Sequence, residues 1–100
     1  MSVFMTLKAE GDPDKLVAIS KDNPELFPGI AERGKAAGAL HHQFWRSGGT
    51  ILVVDEWPDA ESFHKFFEAS PDIAQIMADS GVTAAPEITF WEKVDLGDEF

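Results

Sequence analysis

The residues able to do chemistry in this chain gather in one stretch. His41 and His42 stand side by side, and Asp55 and Glu56 follow further along with Trp57 directly behind them. Imidazole changes charge near neutral pH, and a carboxylate beside it orients the ring and stabilises its charged form. A His–acid pair next to aromatic side chains could therefore act as a general base beneath an aromatic molecule. Two adjacent histidines could equally suggest a metal chelate. Strand register separates the two possibilities.

The element that must position these groups is residues 39–57, ALHHQFWRSGGTILVVDEW. Gly48-Gly49 reads as the two-residue turn of a β-hairpin, with positive φ angles expected at both glycines. Counting outwards pairs Trp45 with Leu52, Phe44 with Val53, Gln43 with Val54, His42 with Asp55, His41 with Glu56 and Leu40 with Trp57. Side chains alternate across a strand. One face then holds Leu40, His42, Phe44, Arg46, Ile51, Val53, Asp55 and Trp57, and the other holds His41, Gln43, Trp45, Leu52, Val54 and Glu56. His41 and His42 point to opposite faces and cannot chelate one metal. A site on His42 and Asp55 would need a third ligand that no spacing supplies, so no metal is expected. The catalytic candidates are His42 and Asp55, with Phe44 and Trp57 as candidate substrate contacts. Arg46, beside the turn, is expected to be solvated.

The rest of the chain supplies the frame. Residues 2–8 read as a strand, halted at Gly11. Asp12-Pro13 is an N-cap and first-turn pair opening a helix to about Lys21, and Asn23-Pro24 repeats that signal. The second of these helices carries Leu26, Phe27, Ile30, Ala31 and Ala37 at helical spacing and ends at Gly38, with Pro28 as a potential kink. After the hairpin, Pro58-Asp59 caps a helix bearing Phe63, Phe66 and Phe67, which are core by spacing and candidate walls of an apolar pocket. His64 is expected on its outer face. Ser70-Pro71 restarts the helix, Gly81 ends it, residues 86–94 make a last strand, and 95–100 form an acidic tail. The expectation is one domain over 1–100. Its order, β-α-β-β-α-β, is the α+β ferredoxin-like unit with a four-stranded antiparallel sheet.

Such a sheet carries its helices on one face and should alternate apolar and polar residues if the other face is wet. Val3-Phe4-Met5, Ile51-Leu52-Val53-Val54 and Ile88-Thr89-Phe90-Trp91 do not alternate. At about 25 cal/mol per Å2, covering several hundred Å2 of apolar surface is worth on the order of 10 kcal/mol. A homodimer packed through the sheet face is therefore expected, with Trp45 as its anchor. Eighteen acidic against eight basic residues give a net charge of −10, which disfavours nucleic acid and anionic membranes as partners. There is no cysteine, which excludes disulfides and thiolate chemistry. With no signal-like start and no long apolar segment, a cytoplasmic location is expected.

With this element order and the run Ile51-Leu52-Val53-Val54-Asp55-Glu56-Trp57-Pro58-Asp59-Ala60-Glu61-Ser62-Phe63, the chain resembles the antibiotic-biosynthesis-monooxygenase type of dimeric α/β-barrel protein. The Ser70-Pro71 break is similar to that family's second-helix kink. The resemblance implies a homodimer with a pocket between each sheet and its own helices, and it maps the family's strand-end Trp onto Trp57. It further implies cofactor-independent oxygenation of a small aromatic or polyketide-like metabolite. A non-catalytic ligand-binding dimer and a cofactor-free isomerase or cyclase are the alternatives. Asp55 stands where the family usually has Glu, and Phe66 and Phe67 stand where many members carry a histidine. The first strand offers only Thr6 and Lys8 as central polar groups, which disfavours haem degradation. The chain also has no tyrosine to hold a phenolate.

Overall fold

The computed structural model describes residues 1–100. Eight elements follow in order: β1 (Val3–Glu10), α1 (Pro13–Asp22), α2 (Leu26–Ala36), β2 (His41–Ser47), β3 (Thr50–Trp57), α3 (Ala60–Glu68), α4 (Pro71–Asp79) and β4 (Glu87–Trp91). The strands form one antiparallel sheet in the order β2-β3-β1-β4. This is the ferredoxin-like arrangement, with each helical limb divided in two.

The hairpin register is the one obtained by counting: His42 lies opposite Asp55, His41 opposite Glu56 and Trp45 opposite Leu52. The turn itself differs from expectation. Gly48 alone has a positive φ, 55°, and Gly49 does not. A positive φ at the first turn position only is the II′ pattern, which joins twisted strands as well as a turn with two positive angles does. The turn is also tied to the chain ahead of it, because the Gly11 N–H donates to the Gly49 carbonyl at 2.9 Å.

Strand limits follow from partner availability. β1 runs to Glu10, two residues beyond the expected limit, because the hairpin extends far enough for Glu10 to pair with Thr50. The Thr50 hydroxyl is also 3.0 Å from both Glu10 carboxylate oxygens. β4 stops at Trp91 rather than 94. Trp91 pairs with Phe4, and β1 offers only one further residue, Val3, beyond it.

The helix expected from Asn23-Pro24 begins at Leu26 instead. Asn23 closes α1, its backbone N–H and side-chain amide both donating to the Ile19 carbonyl, at 3.0 and 3.1 Å. Glu25 precedes α2 without a side-chain cap. Pro28 is thereby the third residue of α2, inside the first turn, where N–H groups have no helical acceptor in any case. No kink penalty arises there. α2 ends at Ala36, and Gly38 reverses the chain at φ 113°.

The core lies between sheet and helices, built on Met5, Leu7, Ala9, Trp57 and Phe63. β2 is different: every residue of this edge strand is exposed. On the face turned away from the helices, Phe4, Trp45 and Trp91 are 48%, 57% and 53% exposed. No helix of the chain is long and apolar enough to cross a membrane.

Candidate functional site

Asp55 is buried on β3, beside its edge neighbour β2. Its Oδ1 lies 2.7 Å from Nδ1 of His42, and its Oδ2 accepts the indole N–H of Trp57 at 3.0 Å. Indole nitrogen is only ever a donor. A carboxylate accepting at both oxygens therefore places the imidazole proton on Nδ1 and leaves the Nε2 lone pair of His42 free. His42 keeps 40% of its side chain exposed while Asp55 keeps 8%. The arrangement is a relay in which a buried indole holds a buried carboxylate, and the carboxylate holds a half-open imidazole.

Aromatic rings surround this relay. Phe44 meets His42 edge-on at 5.1 Å and Phe27 of α2 at 5.7 Å. Trp57 packs on Phe63 at 5.8 Å and Phe66 at 5.5 Å, and Phe63 stacks on Phe67 at 5.3 Å. Between sheet and helices lies a cavity of about 380 Å3, lined mainly by apolar side chains. Its volume falls in the range of pockets that take small organic molecules. All seven sequence-derived candidates, His42, Asp55, Phe44, Trp57, Phe63, Phe66 and Phe67, line it. Trp57 and Phe63 are also among the most buried side chains, so they serve core and wall together.

Reasoning from sequence missed two features. The Trp57–Asp55 hydrogen bond follows from their i, i+2 spacing, which places both on one strand face. Phe27 and Ile30 of α2 close the cavity over β2. Their helical spacing marked them as inward, but nothing local marked what they would meet. Arg46 is exposed, as expected, and also pairs with Asp14 of α1 at 2.9 Å. The edge strand brings Arg46 to the helix side, where Asp14 in the first turn of α1 is its acidic neighbour. His64 is exposed, as expected, with its ring 5.2 Å from that of Phe90. His41 faces away from His42 and approaches Glu56 at 3.5 Å.

The phenylalanine wall depends on the start of α3. The Asp59 side chain accepts from the Ser62 N–H at 2.7 Å. That backbone hydrogen bond, then the Ser62 hydroxyl, hold the Asp59 carboxyl below the usual carboxylate range. A lowered folded value means the contribution is complete above that range and is lost as pH falls through the lowered value. Asp59→Asn keeps a capping oxygen without a titrating group. Its melting temperature is expected to fall less on acidification than that of the unchanged protein, as thermal unfolding across the acid range would show.

No protein-family model and no curated protein sequence matches the chain. Solved structures do. An antibiotic biosynthesis monooxygenase superposes with a TM-score of 0.66 at 14% identity, covering 95% of this chain and 100% of that one. SnoaB, a cofactor-independent oxygenase from Streptomyces nogalater, gives 0.60 at 15% identity over 98% of this chain and 97% of its own. A dimeric ferredoxin-like protein from an uncultured marine organism gives 0.65 at 18% identity over 99% and 90%. At these identities the likeness is one of backbone architecture. The chain has the ferredoxin-like fold found among the antibiotic biosynthesis monooxygenases.

Proposed function

We propose that the cavity is the site of a cofactor-independent oxygenation of a small aromatic, phenol- or quinol-like metabolite. The observation that carries this reading is the Trp57–Asp55–His42 relay ending in a free Nε2 at an apolar cavity. The substrate ring lies among Phe44, Trp57 and the α3 phenylalanines. Nε2 removes an acidic proton, and Asp55 stabilises the imidazolium that forms. The electron pair left on the substrate carbon joins dioxygen in a new C–O bond. Proton return gives a hydroperoxide, and loss of water with O–O cleavage leaves a carbonyl. One oxygen atom enters the product and the other leaves as water. The described activity of SnoaB, a protein of like fold, supports the same reading.

Turnover of a panel of hydroquinones and acidic phenols, with and without dioxygen, tests the reaction class. Stoichiometric oxygen uptake, with label from dioxygen in the product, is expected. Conversion at an undiminished rate without oxygen would replace the reading with isomerisation or cyclisation by the same base. Binding without conversion would leave a ligand-binding protein.

The working unit in this proposal is a homodimer closed through the open sheet face. Phe4, Trp45 and Trp91 present large, half-exposed rings there, with half-buried Leu52 and Val54 between them. The polar ends of two rings are already satisfied, Trp91 donating to Thr6 at 2.8 Å and Trp45 to Gln43 at 3.2 Å. Burial of this face would leave neither N–H unpaired. Light scattering is expected to give twice the 11.0 kDa chain mass, and Trp45→Asp to return it towards 11.0 kDa at low concentration. A monomeric mass for the unchanged protein would remove the proposal.

A further inference from the structure

Polarity is unevenly distributed around the cavity. The corner where α2 runs into β2 contributes Lys35, His41 and His42, and Asp55 adjoins His42. The α1 and α4 side contributes Leu16, Ile73, Ile76 and Met77. The only other polar side chain in the lining, Ser80, spends its hydroxyl on the Ile76 carbonyl at 2.8 Å. Hydrogen-bonding capacity at the charged corner is mostly committed too. Both Asp55 oxygens accept, the Trp57 N–H is donated, and His42 Nδ1 is engaged. His41 lies on the opposite sheet face against Glu56.

One cationic residue remains in the lining, Lys35, its ammonium paired with a residue outside the lining. The Lys35 ammonium contacts only Glu32, at 3.2 Å, with both side chains about 70% exposed (69% and 73%). Such an exposed i, i+3 pair is weak and exchanges readily with other partners. Elsewhere the chain is strongly acidic, with a net charge of −10. An anion would be repelled by most of this surface, but the cavity lining holds a single carboxylate, whose two oxygens already accept hydrogen bonds.

We propose that Lys35 holds an anionic oxygen of the cavity's ligand, and that the ligand class is amphipathic aromatic acids. The flat apolar body reaches towards α1 and α4, and a carboxylate or acidic phenol oxygen sits at the α2–β2 corner. Lys35 then supplies the cation for either group, and an acidic phenol can in addition give its proton to His42 Nε2. This rests on the reading of the cavity as a ligand site but does not require that oxygen be used there.

The test is calorimetric binding of 2-naphthoate against its neutral isostere 2-naphthamide. The acid is expected to bind about two- to fivefold tighter at low salt, the scale of one exposed ion pair. The preference is expected to shrink at about 0.5 M salt. It should vanish in Lys35→Gln, grow in Glu32→Gln, and survive in Lys21→Gln, which alters a lysine outside the cavity lining. Equal binding of the two probes, no binding of either, or a preference unchanged in Lys35→Gln overturns the proposal. The outcome is separable from that of the oxygenase reading. Lys35-dependent acid binding with no oxygen uptake on any phenol retains this inference and removes that reaction. Oxygen uptake on neutral quinols that is indifferent to Lys35→Gln does the reverse.

Discussion

Replacing His42 by Ala is expected to lower oxygen-dependent turnover by about 10^2- to 10^4-fold, the usual contribution of a positioned general base. The protein should stay folded, because His42 sits on the exposed edge strand with 40% of its side chain in solvent. Asp55→Asn should be comparably damaging for a reason specific to this geometry. The Trp57 N–H can only donate, so the asparagine must turn its carbonyl towards the indole and its NH2 towards His42 Nδ1. Nδ1 must then accept, which moves the imidazole proton to Nε2 and removes the free base. Oxygen-uptake rates for both variants, alongside their circular dichroism, check this. Folded variants that keep full turnover would remove His42 from the reaction.

Trp57→Ala should produce the largest loss of stability, about 3–5 kcal/mol. Trp57 is 1% exposed, packs against Phe63 and Phe66, and holds the buried Asp55 carboxylate. At roughly 4–8 °C per kcal/mol for a domain of this size, the melting temperature should drop by more than about 10 °C. Trp57→Phe separates the two roles of the side chain. It keeps most of the ring but leaves Asp55 Oδ2 without its donor, at a cost of about 1–3 kcal/mol. Turnover should fall as well, since Asp55 then positions His42 less firmly. Denaturant titration of both variants gives the comparison. A loss below about 1 kcal/mol for Trp57→Ala would contradict the packing described here.

The sheet was legible in the sequence because its information is local. Paired glycines and a period of two determine the hairpin register, and register determines that His42 meets Asp55 on the face away from His41. The helical limbs were less legible. Asn23-Pro24 looks like a helix start, but Asn23 finds an acceptor at Ile19 and ends the preceding helix instead. Local sequence cannot distinguish a residue that caps forwards from one that caps backwards. The hairpin's share of the site followed from strand alternation. Phe27, Ile30 and Lys35 did not, because a helix's reach over a sheet depends on packing angle and not on spacing within the helix. The Arg46–Asp14 pair belongs to the same class: it joins an edge strand to a helix distant in sequence.

In the proposed site, His42 presents a free Nε2 to a ligand in the cavity. Proton–nitrogen correlation NMR of the imidazoles, recorded before and after addition of an aromatic ligand, tests it directly. The expected result is the Nδ1-protonated tautomer for His42, a ligand-dependent shift of its Nε2, and no comparable shift at exposed His64. A His42 protonated on Nε2 alone, or one whose nitrogens do not respond while ligand binds, would contradict it.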